Sequence, residues 1–88
     1  FVVFCNVAMH RINQETVNDF VAHVLEWPEV SECYNVSGEF DYMLKVFCKS
    51  MEEYQRFVIR TIGTLENVIR IQSVFVMDTL KLTYGIKI

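Results

Sequence analysis

The chain is short of the residues that interrupt structure, with three glycines and one proline among 88 residues. That scarcity excludes linker-like, collagen-like and low-complexity character and leaves one ordered domain, residues 1–88. Charge is scarce too. Charged residues make up 22% of the chain, and eight basic against eleven acidic side chains give a net charge of −3. The basic residues are scattered, so the footprint of a nucleic-acid-binding surface is missing. No apolar run approaches the roughly 20 residues that a membrane span needs, and the opening residues carry no signal-peptide pattern. Cys5, Cys33 and Cys48 form no C-x-x-C pair and have no metal-like spacing with His10 or His23. No metal and no cofactor is expected. An odd set of cysteines favours reduced, partly buried thiols and a cytoplasmic protein. The first residue is Phe1 rather than Met, which suggests a domain excised from something longer.

Apolar and aromatic residues are plentiful, at 52% and 14% of the chain. So small a domain cannot hide that much apolar surface alone, and self-association is the first expectation. Phe1 to Met9 alternates as a strand, with Val3, Cys5 and Val7 on one face and Phe4 and Asn6 on the other. Asn13 is placed to cap a helix whose apolar stripe is Val17, Phe20, Val21, Val24 and Leu25, and Pro28 stops it. His23 lies off that stripe and reads as solvated. Val30–Val36 and Asp41–Cys48 read as a hairpin. Ser50 and Glu53 match a capping box before a second helix carrying Tyr54, Phe57, Val58, Ile62 and Leu65. Strand four is expected over Val68–Met77, with Ile69, Ile71, Phe75 and Met77 sharing a face, and a fifth strand over Leu82–Ile88. The order predicts an α+β fold, a ferredoxin-like βαββαβ sandwich with an extra C-terminal strand. Its antiparallel sheet packs on two helices, and the other sheet face, showing Phe4, Asn6, Met43, Lys45 and Phe47, suits dimerisation.

The functional lead is the hairpin turn, Val36-Ser37-Gly38-Glu39-Phe40-Asp41-Tyr42. A turn needs its glycine. It does not need two carboxylates and two aromatics as well. An RNA-recognition module shares the strand and helix order but needs basic and aromatic residues on its central strands, which Tyr42-Met43-Leu44-Lys45-Val46-Phe47 does not supply. A dimeric α+β barrel enzyme needs a His, Tyr or Asp poised in a cavity. Here no Ser/His/Asp, Cys/His or paired-carboxylate set comes together, so no catalytic residue is assigned and the chain reads as no enzyme. An ACT-like regulatory module shares the topology, and a pure assembly module is the further alternative.

The run Glu32-Cys33-Tyr34-x-Val36-Ser37-Gly38-x-x-Asp41-Tyr42-x-Leu44-Lys45 closely resembles the C-terminal effector domain of the leucine-responsive/asparagine-regulator (Lrp/AsnC) family. The likeness continues through Tyr54, Phe57, Leu65-x-x-Val68, Ser73-x-Phe75-Val76-Met77 and Lys81-x-Thr83, and it argues against the ACT alternative. The family's N-terminal helix-turn-helix has no counterpart here. The resemblance implies a domain that senses an amino-acid effector and oligomerises, within a transcription regulator. It implies homodimers associating into octamers, a small amino acid bound between dimers, and DNA contact through a different domain. The implied site comprises Gly38, Glu39, Phe40, Asp41 and Tyr42 from the turn and Gln72, Ser73, Val74 and Phe75 from strand four. Asp41 suits the effector's ammonium and the amides around Gly38 its carboxylate. A pocket of Val74, Phe75 and Met51 suits an apolar amino acid such as leucine or methionine. Each residue also has a structural role open to it: Asp41 in an Asx turn, Tyr42, Val74 and Phe75 in the core, and Glu39 in solvent.

Overall fold

A computed structural model describes residues 1–83. In chain order it has β1 (Val2–Met9), α1 (Gln14–Leu25), β2 (Val30–Asn35), β3 (Tyr42–Phe47), α2 (Met51–Arg60), a short 3-10 turn (Ile62–Thr64) and β4 (Val68–Phe75). The four strands form one antiparallel sheet in the order β2-β3-β1-β4. The fold is the expected ferredoxin-like α+β arrangement. The expected fifth strand runs into residues 84–88, outside those described, and Leu82 and Thr83 belong to no strand.

Alternation decides which face is covered. Val3, Cys5 and Val7 of β1 and Leu44 and Val46 of β3 are all 0% exposed and point at the helices. Each such side chain contributes about 1.5–3 kcal/mol by leaving water. Phe20 and Val24 of α1 and Tyr54 and Phe57 of α2 close over them. The Phe20 ring lies 4.4 Å from Tyr42 and meets Trp27 edge-on at 6.3 Å. The buried stripe on α1 is narrower than its spacing suggests, since Val21 and Leu25 line an open cavity with Cys33 and Asn35 of β2 and remain exposed.

Both helix starts are capped by the residues expected. Asn13 accepts from the Thr16 amide, and Thr16 Oγ1 accepts from the Asn13 amide in return. Ser50 accepts from the Glu53 amide, whereas the Glu53 carboxylate accepts from Lys49 rather than from Ser50.

Strand four departs from the expected pattern. It ends at Phe75, and the pairing shifts at β1, where Ala8 faces Arg70 and Met9 faces Val68. That bulge takes Ile69 out of the ladder, so Val68 faces the core and Ile69 is 61% exposed. Met77, expected beside Ile71 and Phe75, lies beyond the strand and is almost fully exposed.

Candidate functional site

The ends of the hairpin turn are held by backbone and side-chain amides. The Val36 amide donates to the Asp41 carbonyl at 2.9 Å, and the Asn35 side-chain amide donates to the same oxygen. Gly38 has φ +106°, a backbone region that side chains disfavour, and a Cβ there would meet no atom within 4 Å. The glycine is required for its conformation, not for space. Asp41 extends the ladder to β1: its amide donates to the Val7 carbonyl at 2.9 Å, and its Oδ2 accepts from the Met9 amide at 2.7 Å. The carboxylate thus satisfies a backbone donor at the bulge. It does not cap its own turn.

Arg70 is the part of this region that sequence reasoning missed. Its guanidinium lies 4.9 Å from the centre of the Phe40 ring and donates to the Glu39 carbonyl at 3.1 Å, pinning the turn against β4. Charge on strand four was the available signal, but the contact spans 31 residues and depends on the bulged register.

The strand-four candidates divide between the two sheet faces. Ser73 and Phe75 lie on the helix side. The Tyr54 and Ser73 hydroxyls are 2.6 Å apart, and Phe75 meets Tyr54 edge-on at 5.6 Å and stacks on Phe1 at 5.8 Å. Burial pushes the Tyr54 phenol well above its usual range, with the Ser73 contact acting the other way. Met51, Tyr54, Gln55, Val58, Ile59, Ser73 and Phe75 line an open, mainly apolar cavity of about 400 Å³. Gln72 and Val74 lie on the open side, where Asn6 Nδ2 donates to Gln72 Oε1 at 3.3 Å. Tyr42, 4% exposed, is core beneath Phe20.

Within one chain these residues do not form a single pocket. Arg70, beside the turn, pairs with Ala8, whereas Ser73 and Phe75 pair with Cys5 and Val3. At about 3.3 Å per residue, three to five positions along a strand separate the two groups by roughly 10–17 Å. The turn offers a carboxylate, backbone amides and a guanidinium. The cavity offers apolar walls. The two groups are separate within one chain. Among the described residues no group of three His, Cys, Asp or Glu side chains is placed to hold a metal.

The model of the Lrp/AsnC ligand binding domain matches residues 2–86. The chain belongs to the Lrp/AsnC family. The transcriptional regulator AzlB of Bacillus subtilis is 35% identical over 93% of this chain and 52% of its own length. A Neisseria meningitidis transcriptional regulator, solved as its L-methionine complex, superposes with a TM-score of 0.85 at 35% identity, covering 93% of this chain and 53% of that one. A feast or famine regulatory protein of Mycobacterium tuberculosis, also complexed with L-methionine, gives 0.75 at 27% identity over 92% of this chain and 52% of that one. This chain therefore spans about half the length of the regulators it matches. It is the ligand-binding regulatory domain of a transcription-regulator family, not an enzyme. No described helix is long and apolar enough to cross a membrane.

Proposed function

We propose that this Lrp/AsnC domain senses a small apolar amino acid and couples its binding to assembly, in a cytoplasmic transcription regulator. Two copies pair through their open sheet faces, and dimers associate further, toward an octamer. The effector sits at the junction between dimers. DNA contact belongs to another domain of a longer chain, since this one has a net charge of −3 and no basic run.

The observation that carries this reading is the separation of the two half-sites. A ligand that needs both a polar clamp and an apolar wall completes its site only where the turn of one copy meets the cavity edge of another. At the turn, Asp41 Oδ2 is held by the Met9 amide, which leaves Oδ1 to face an ammonium. Arg70 and the amides around Gly38 face a carboxylate. Phe75 and Met51 flank the effector side chain. Tyr42 acts from beneath, fixing the start of β3 rather than touching ligand. The L-methionine complexes of the Neisseria and Mycobacterium regulators support the class of ligand.

The test is thermal melting of the chain against each of the twenty amino acids, with light scattering on the same samples. A ligand that binds the folded state raises the melting temperature by mass action. Methionine or leucine should raise it selectively and increase the mass. Uniformly unshifted melts at constant mass would refute the effector reading.

A further inference from the structure

The register between β1 and β4 is constant from Val3 opposite Phe75 to Ala8 opposite Arg70. Continued unchanged, it would set Met9 opposite Ile69 and turn the Ile69 side chain toward the helices. The observed pairing sets Met9 opposite Val68 instead, and Ile69 stays 61% exposed. Burial alone would favour the unshifted register, because isoleucine removes more apolar surface from water than valine does. Bonds at the strand end have to offset that preference, and Asn67 supplies them. Its carbonyl accepts from the His10 amide at 2.7 Å, its Oδ1 accepts from the Arg11 amide at 3.0 Å, and its Nδ2 donates to the Arg11 carbonyl at 2.7 Å. The side-chain amide acts as one more rung of the ladder, a role that needs a donor and an acceptor on one short side chain. His10 and Arg11 are themselves exposed, so packing does little to hold them. Just before them, the Met9 amide donates to Asp41 Oδ2 at 2.7 Å.

We propose that Asn67 is a positioning residue for the polar half of the effector site. By clasping Arg11 it holds Met9 where the Met9 amide keeps the Asp41 carboxylate in one orientation, with Oδ1 turned to the effector ammonium. The inference rests on the ammonium role of Asp41 proposed above, and it adds a residue that touches no ligand. The bond it protects joins an amide to a carboxylate, one of the stronger kinds of hydrogen bond, and it holds only while both groups keep their places. Without the clasp, residues 9–11 open locally more often than the strand behind them. Each opening releases Asp41 from the orientation that binding needs. Asn67 therefore sets effector affinity through the backbone, and an apolar residue at that position could offer His10 its carbonyl but could not hold Arg11.

The test titrates the 88-residue chain with L-methionine and L-leucine by calorimetry and follows amide hydrogen exchange by NMR. Asn67→Ala should weaken binding of the amino acid that the parent takes by about tenfold. It should also speed exchange of the Met9 amide more than that of the Cys5 and Val7 amides, further back on the same strand. Val24→Ala removes buried packing on α1. It should lower the melting temperature at least as much, speed the three amides alike and leave affinity unchanged, as a merely structural change would. Asn67→Gln displaces the clasp by one methylene, and it should give the same changes in smaller size and decides the matter if Asn67→Ala does not fold. Equal acceleration of all three amides, or a freed Met9 amide with unchanged affinity, would overturn the positioning role and leave the effector reading intact. A parent chain that binds neither amino acid would instead remove the effector reading on which the inference stands.

Discussion

The two faces of the sheet are built from alternate residues of the same strands, yet they do different work. On the helix side Val3, Cys5, Val7, Leu44 and Val46 are sealed, and the buried Tyr54 hydroxyl is paired with Ser73. On the open side Phe47 and Val74 stay about half exposed and Asn6 keeps an unpaired oxygen. A sheet with period-two alternation cannot blur this division, because a one-residue slip would exchange the two sets entirely. The helix side holds the fold of one chain together. The open side is the one to which the proposed function assigns association.

The largest effect expected from breaking this comparison is Phe20→Ala. The ring packs on Tyr42 and Trp27, and its loss should cost about 3–5 kcal/mol, a large part of the roughly 5–15 kcal/mol that holds a domain folded. Chemical denaturation should find little folded protein at 37 °C. Val74→Ser on the open side should change only the concentration-dependent part of the melt. If it unfolded the chain as Phe20→Ala does, the division of labour between the faces would be wrong.

Alkali should also act through the helix side. Burial raises the Cys5 thiol above its ordinary value of 9.0 and the Tyr54 phenol above 10.0. Both groups stay neutral in the folded state and ionise more readily when unfolded. Their contribution is therefore complete below about pH 9 and declines as pH rises, by up to about 1.4 kcal/mol per pH unit for each group. Urea midpoints should fall between pH 9 and pH 11, and less steeply in Tyr54→Phe. A midpoint constant across that range would show that neither group is shielded.

At the turn, Gly38→Ala should cost about 1–3 kcal/mol, because φ +106° is held against a side chain. Asp41→Ala should cost a similar amount, about 1–3 kcal/mol, by stranding the Met9 amide. Asp41→Asn keeps an acceptor for Met9 and should melt near the parent. That variant separates fold from effector binding. It should lose the amino-acid-dependent rise in melting temperature, and a full rise would refute the ammonium role of Asp41.

Much of this was legible in the sequence because it depends on local period. The alternation of β1 and β3 placed Val3, Leu44 and Val46 inward and Phe4, Asn6, Met43, Lys45 and Phe47 outward, and Asn13 and Ser50 cap as expected. Three features were not legible, for one physical reason. The exposure of Ile69, the Arg70–Phe40 contact and the Asp41–Met9 bond all follow from the bulge between Ala8 and Met9. A bulge is a relation between two strands some 60 residues apart in sequence, and no window along either strand contains it. The site residues were read as a set, but alternation along β4 sends Gln72 and Val74 one way and Ser73 and Phe75 the other.

The smallest effect concerns Lys45, which lies on the open face between Phe4 of β1 and Glu32 of β2. Its ammonium is 3.1 Å from Glu32 and 5.5 Å from the centre of the Phe47 ring, and both ion-pair side chains are partly exposed in one chain. The Tyr34 hydroxyl and Lys45 hold the Glu32 carboxyl below its ordinary value of 4.5, so whatever the pair contributes is present above that pH and is lost on acidification. Solvent-screened pairs of this kind stabilise little. Lys45→Met should match the parent midpoint in high salt and remove only a slight salt dependence. The comparison is sharpest between low protein concentration, which favours single chains, and high concentration, which favours the proposed pairing. A loss that appears only at high concentration would mean that pairing buries the ion pair, which extends the interface across β3 toward the β2 edge. A loss of equal size at both concentrations would mean that the open face holds part of the fold of the single chain, and that the two faces are less separate than their exposure implies.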